Sequence, residues 1–310
     1  MTMVNIRNEI GATFKMRTFK ADGITTKETS EFHNIVLDTG LQRMGVGAWA
    51  NVCRVGTGSS TPVVSQTQLD STLATATTLQ NSAYSMNTTT KPYYYSIQHT
   101  FRFGEGAAAG NLTEVGLGWT QTGQNPCWNR ALIKDANGNP TTLTVLSDEF
   151  LDVTTDIRFY PSEYITGSFD FKNKLGDVIS SHTVNGYVHM IIPSNGTNVG
   201  VNISSVNLYS NAALVESPTA NMTGSNLGAA SGGNITNTLI APTTLRAAAK
   251  FVLTQGNGIC SGILVNLQGW HRPNGAPATF YKALIDPPIT KTNEMEITWT
   301  IDLTWGRYVT

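Results

Sequence analysis

Five histidines, His33, His99, His182, His189 and His271, are the groups most suited to proton transfer or metal binding near neutral pH. None stands in a His-Glu-x-x-His pattern, and no pair has metal-ligand spacing beside a carboxylate. His99 falls on the apolar side of an alternating stretch, which suits a core or interface imidazole. No Gly-x-Ser-x-Gly elbow presents a nucleophile. The glycine-rich run Gly56-Thr57-Gly58-Ser59-Ser60 lacks the lysine of a phosphate-binding loop and reads as a turn. Asp148, Glu149, Asp152 and Asp156 gather before and along one segment, where paired carboxylates would suit glycoside hydrolysis. Their alternation fits solvated residues on the outer face of a half-exposed sheet instead. Trp119, Trp128, Trp270, Trp299 and Trp305 have the ring types of sugar-stacking platforms, but their placement favours packing. The residues best suited to touching a partner or receptor are Tyr93, Tyr94, Tyr95 and Trp128, beside Thr- and Asn-rich loops. No catalytic, cofactor-binding or metal-binding residue is expected, and no cofactor.

The cysteines are Cys53, Cys127 and Cys260. An odd number at long spacings is not a disulfide framework, so the expectation is three reduced, mostly buried thiols. Charged residues make up 13% of the chain, against about 25% in an ordinary globular protein. Gly, Thr, Asn and Ser take their place and favour strands joined by tight turns. A net charge of -1 offers no field for nucleic acid or an anionic membrane. No window approaches the roughly 18 apolar residues of a membrane-spanning helix. The first residues, MTMVNIRNEIGATFK, lack the apolar core of a signal peptide.

Strands must position these groups. Tyr93, Tyr95, Ile97, His99, Phe101 and Phe103 alternate with Tyr94, Ser96, Gln98, Thr100 and Arg102, a period-two pattern with one apolar face. Leu245 to Leu253 repeats it at odd positions, and Ile297, Trp299, Ile301, Leu303 and Trp305 alternate with threonines and Asp302. Asn-Gly pairs at 137, 185, 195, 257 and 274 carry hairpin-turn chemistry. Pro287-Pro288 is incompatible with a central ladder and predicts an edge or crossover. Gly56–Thr90 and Asn211–Thr243 read as long irregular stretches, with one helical turn within Ser65–Leu79.

The second half resembles the first. FRFGEGAAAGNLTEVGLGW ending at Trp119 has its counterpart in FVLTQGNGICSGILVNLQGW ending at Trp270. Ala131–Ile133 recurs as Ala283–Ile285, Phe19-Lys20 as Phe171-Lys172, and Val36 as Val188. The expectation is an all-β chain of two tandem, internally duplicated, jelly-roll-like β-sandwich domains. The first spans residues 1–160, including an N-terminal arm, and the second, diverged copy spans 161–310, with a joint at Pro161-Ser162-Glu163. The copies differ: Tyr93-Tyr94-Tyr95 has no aromatic counterpart.

The segments FHNIVLDTGLQRMG, CRVGTGSSTPVVSQTQLDSTLA, FRFGEGAAAGNLTEVGLGW, RALIKDANGNPTTLTVLSDEFLDVTTDIRFYP and DPPITKTNEMEITWTIDLTWGR resemble those of structural proteins from tailed bacteriophages and prophages. Such proteins are described as tail, baseplate or fibre-type virion components, and the resemblance runs from about His33 to Arg307. It implies a non-enzymatic, self-assembling virion protein made in the bacterial cytoplasm, with itself and other virion proteins as partners. A receptor-binding protein for a host glycan or pilus is the alternative, and a head or collar attachment protein a variant. Enzymatic degradation of a surface polysaccharide is the third reading. Intact mass measured with and without alkylation, under non-reducing conditions, should show three free thiols; a stoichiometric bridge would overturn the reduced reading.

Overall fold

The computed structural model describes residues 2–172, 175, 177–191, 201–268 and 279–309. In chain order, the first strands are β1 (Thr2–Phe19), β2 (Thr25–Glu28), β3 (Phe32–His33), β4 (Ile35–Val36), β5 (Val52–Gly56), β6 (Thr72–Ala76) and β7 (Leu79–Asn87). There follow β8 (Tyr94–Phe103), β9 (Gly110–Leu112), β10 (Glu114–Gly118), β11 (Asn129–Leu132), β12 (Leu143–Val145) and β13 (Phe150–Pro161). The second half holds β14 (Tyr164–Lys172), β15 (Val178–Met190), β16 (Asn202–Ala213), β17 (Thr223–Ser231), β18 (Ile235–Ala241), β19 (Thr244–Phe251), β20 (Gly258–Gln268), β21 (Thr279–Lys291) and β22 (Ile297–Arg307). One α-helix, α1 (Asp38–Met44), lies between β4 and β5.

The fold is all-β. The largest sheet runs β18-β19-β22-β1-β13-β8-β7, with β2 and β3 added to β1. A second runs β4-β11-β10-β5-β6 and a third β14-β15-β21-β20-β16-β17, while β9 pairs with β12. One continuous apolar core joins inward residues of the large sheet, such as Phe14, Phe101 and Trp299, to those of the smaller sheets, such as Val115, Val188 and Val265. The alternating segments bury the side that their pattern marks: Ile97, Phe101, Phe251, Ile301 and Leu303 are each at most 2% exposed. Leu253 departs from its pattern and is exposed, because β19 ends at Phe251.

Some pairing registers recur between the two halves. Val36 opposite Asn129 and Ile35 opposite Arg130 recur as Val188 opposite Tyr281 and Tyr187 opposite Lys282, each pair displaced by 152 positions. Phe101 opposite Val153 recurs as Phe251 opposite Ile297. The order β11-β10-β5-β6 is matched by β21-β20-β16-β17, and β7-β8-β13 by β18-β19-β22. Trp270, the expected partner of Trp119, lies outside the described residues, as do Asn195-Gly196, Asn274-Gly275 and His271.

The repeat does not announce the seam. β13 ends at Pro161 and β14 starts at Tyr164, so the expected joint falls between strands. Yet the large sheet crosses it: Thr2–Ile10 of β1 pairs in parallel with Trp299–Arg307 of β22. What reads as an N-terminal arm is therefore a central strand, and Val4, Ile6 and Ile10 are at most 1% exposed.

Other expectations are corrected. Gly56–Thr90 contains β6 and β7, and Asn211–Thr243 contains β17 and β18. These strands lie at sheet ends, with β18 largely exposed and the inward rows of β6 and β7 only partly covered, so apolar alternation marks them weakly. The helix is Asp38–Met44, not within Ser65–Leu79. Pro287 and Pro288 lie in β21, a central strand. They fit because the β20 ladder skips from Leu284 to Ile289 and the β15 ladder stops at Asp286, so a bulge absorbs the missing donors. Asn185-Gly186 is no hairpin turn: Gly186 sits inside β15, where a Cβ would fall 2.1 Å from the Lys282 carbonyl oxygen. Phe251 is fully buried in the large sheet, so Phe251→Ala should cost about 3–5 kcal/mol of stability in chemical denaturation. A change below about 1 kcal/mol would show that this side chain is not part of a tight core.

Candidate binding surface

Successive residues of extended chain point to opposite faces, which separates Tyr94 from Tyr95, while Tyr93 precedes β8. Tyr95 points inward, is 1% exposed, and its hydroxyl accepts from the Ile191 backbone N–H at 3.2 Å. Trp128 is fully buried, 4.7 Å from the Trp49 ring, with its indole N–H on the Met44 sulfur. Neither presents a surface to a partner, which corrects their place among the contact residues. Tyr93 and Tyr94 are half-buried and line separate clefts.

Tyr94 opens a groove of about 520 Å3. Its ring lies 5.7 Å from Tyr160, which stacks on Tyr308 at 3.6 Å and 13°. Tyr160 is directly opposite Tyr94 in neighbouring strands, one step beyond the Phe159–Tyr95 pair, and the Tyr308 N–H donates to the Ile10 carbonyl. The Arg158 guanidinium sits 4.9 Å over Tyr94 and is held by Asp156 at 2.7 Å. His33, Asn87 and Thr90 rim the groove. The arrangement presents aromatic faces edged by donors and acceptors, which suits a sugar ring or a planar polar group.

Tyr93 lines a smaller cleft of about 130 Å3 with Lys91, Glu163, Tyr164, Tyr187 and Glu216. Lys91 bonds Glu163 at 2.5 Å and lies 5.9 Å from the Tyr93 ring and 5.6 Å from that of Tyr164. Glu163 raises the Lys91 pKa through that hydrogen bond. The Tyr164 hydroxyl donates to Glu216 at 2.5 Å, which raises its pKa. Protein groups already occupy the charges of this cleft, so it ties the β7–β8 turn to β14 more than it awaits an ion.

The carboxylates expected to be solvated are instead partly enclosed. Glu149 is 1% exposed, accepts from Thr26 and pairs with Lys27 at 3.1 Å. Asp152 is 4% exposed between Arg17 and Arg102, each within 2.8 Å. Burial alone would raise its pKa, but the hydrogen bonds and charges of Arg102 and Arg17 hold it below the usual carboxylate range. Only Asp148 of this set is freely solvated, in an exposed pair with Lys20. His99 is buried as expected; its Nδ1 shares a 2.9 Å hydrogen bond with Ser82, and burial lowers its pKa to about 4. Burial raises the thiol pKa of Cys127 and Cys260 to about 11, and that of Cys53 further still. Among the described residues, no group of three His, Cys, Asp or Glu side chains is placed to hold a metal ion.

The sequence reading missed the buried cations, which among the described residues are Arg54, Arg130, Lys282 and Lys291. Arg130 and Lys282 each stand directly before the repeated Ala-Leu-Ile and are fully buried. Arg130 bonds Glu114 at 2.8 Å and Asp70 at 2.7 Å. Lys282 donates to the carbonyls of Val215, Ser217 and Ala220, and burial lowers its pKa. Each cation thus anchors the connection between equivalent strands, β5–β6 in one half and β16–β17 in the other. Glu114 also accepts from the backbone N–H groups of Gly58, Asp70 and Ser71 at 2.9–3.1 Å. The glycine-rich run does wrap an anion, but it is the protein's own carboxylate; a Cβ on Gly58 would fall 2.4 Å from Glu114 Oε1. A charged residue opening the otherwise apolar Glu114–Gly118, and a cation before each Ala-Leu-Ile, were the available signals.

Comparison with protein-family models, curated proteins and solved structures found no match to this chain. Replacing Arg130 by Met keeps bulk but leaves Glu114 as an uncompensated buried charge, so Arg130→Met should cost about 3–5 kcal/mol. It should also speed proteolysis within 57–71. A stability loss below about 1 kcal/mol, with unchanged cleavage, would show that the pair does not hold that loop.

Proposed function

We propose that the chain is a non-enzymatic structural component of a tailed-phage particle, in its tail, baseplate or fibre region, acting by docking on itself and on neighbouring virion proteins. The observation that carries this is the pair of bare strands ending the large sheet. β7 (LQNSAYSMN) and β18 (ITNTLIA) contain no charged residue and no proline, although natural edge strands are usually guarded by such residues. An unguarded edge is suited to being covered in an assembly. The recurring register supports reading the two halves as diverged copies of one sandwich, joined through β1 and β22. The sequence resemblance to virion proteins points to the same role, and localisation in the virion follows from it.

A second reading, recognition of a host surface glycan or pilus, is favoured by the groove of Tyr94, Tyr160 and Tyr308. Antibody-gold labelling of purified particles should place the protein on the tail, baseplate or fibres, while Tyr94→Ala with Tyr160→Ala leaves labelling unchanged. Absence from particles would overturn the structural role. Loss of whole-cell binding by the purified double variant, with its fold retained, would favour the receptor reading instead.

A further inference from the structure

The bare edges have a geometric property that selects their occupant. From β7 through β8 and β13 to β1, each neighbour is antiparallel. β1 and β22 are parallel, and β22, β19 and β18 are again antiparallel to one another in turn. Seven strands with antiparallel pairing throughout would end in two strands of the same direction. The single parallel step reverses that, so β7 and β18 run opposite ways. A second copy placed beside the first in the same orientation therefore brings its β18 antiparallel to β7, the more stable ladder geometry.

Resting on the structural reading above, we propose that copies of this chain associate head to tail, β7 of one copy pairing with β18 of the next. The regular stretches are of comparable length: β7 is in even register from Asn81 to Asn87, and β18 from Ile235 to Leu239. Their inward rows are each half-covered. Tyr84 and Met86 are only partly buried against the core, and Leu239 remains 42% exposed. Same-orientation pairing sets these rows on one face, so each copy extends its neighbour's core layer. Neither edge carries charge, so no oppositely charged partner is called for, and a net charge of -1 leaves little repulsion between copies.

Other sheet ends are less fitted to this role. β4 is two residues long, β14 carries Asp170, and β6 is short. β17 is irregular, with register shifts and with Gly224 and Gly228 at positive φ. A symmetric contact of β18 with β18 would leave β7 bare on both copies. Only the head-to-tail contact covers both edges with one interface, and such contacts close into rings or grow as filaments.

The test uses the full chain with one edge guarded at a time. Ala83→Lys with Ser85→Lys guards β7, and Thr236→Lys with Thr238→Lys guards β18; all four positions are at least partly exposed edge sites. Sedimentation velocity should show wild-type protein forming rings or longer oligomers. Each guarded variant alone should need at least about tenfold more protein to associate. An equal mixture of the two should form a 1:1 dimer through the one intact edge on each. Hydrogen exchange read at Asn81–Asn87 and Ile235–Leu239 should slow in both segments as wild-type concentration rises, an independent readout if a lysine variant folds poorly. The proposal is overturned if wild-type protein stays monomeric with both segments unprotected, or if one guarded variant alone dimerises as readily as wild type. A monomer that is nevertheless found in particles defeats head-to-tail pairing and leaves the structural role standing. Oligomers with the expected edges, from a protein absent from particles, do the reverse.

Discussion

The parallel ladder between β1 and β22 is the contact on which the rest of the structure depends. It joins the first residues of the chain to the last described strand, across nine register pairs from Thr2–Trp299 to Ile10–Arg307. Without it the two halves would each end in a three- or four-stranded layer with another exposed edge. With it they form one sheet and one core. A polar contact reinforces the join from the facing layer: the Tyr281 hydroxyl donates to Asn8 at 2.7 Å, with Asn8 only 3% exposed. The Trp305 indole N–H donates to the Leu41 carbonyl at 2.7 Å, fastening α1 to β22. The same parallel step gives the outer strands opposite directions, so a contact made inside one chain sets how its outside can be continued.

Two buried cations, one in each half of the chain, perform a like mechanical task. Arg130 and Lys282 occupy equivalent ladder positions. Arg130 is planar with several donors and meets two carboxylates, which satisfies its charge in a dry setting. Lys282 is a point charge met by neutral carbonyls, and burial lowers its pKa. Both hold a long connection against the sheet from beneath. The β5–β6 connection meets its cation with the side chains of Asp70 and Ser60, whereas the β16–β17 connection meets its cation with backbone carbonyls alone.

The surface divides by chemistry. Ion pairs such as Arg102–Asp152 and Arg246–Asp302 cover the outer face of the large sheet along its middle. Aromatic stacking takes over at one end, where Tyr94, Tyr160 and Tyr308 adjoin. Uncharged strands take the two margins. These charges lie on strands that are already paired, and the uncharged margins are left open to backbone pairing.

How much of this was legible in the sequence follows from what periodicity records. Alternation reports that one face of a strand is buried, so Tyr95–Phe103, Leu245–Phe251 and Ile297–Trp305 were readable, and so was the inward turn of His99. The margin strands β7 and β18 were not, because a strand whose inward row is only partly covered keeps little apolar rhythm and resembles a loop. The recurring Ala-Leu-Ile falls on β11 and β21, whose ladders with β4 and β15 hold two pairs displaced by 152 positions. Of the surface tyrosines, Tyr94 was visible from its neighbours, but Tyr160 and Tyr308 reach it only through the pairing of distant strands. Local residue order determined the extended state and the inward face of the half-buried strands. Tertiary structure alone decided that β1 lies beside β22, that Glu114 meets Arg130, and which strands were left at the margins. Strand partners are chosen by long-range competition for backbone hydrogen bonds and core volume, and no local pattern encodes that competition.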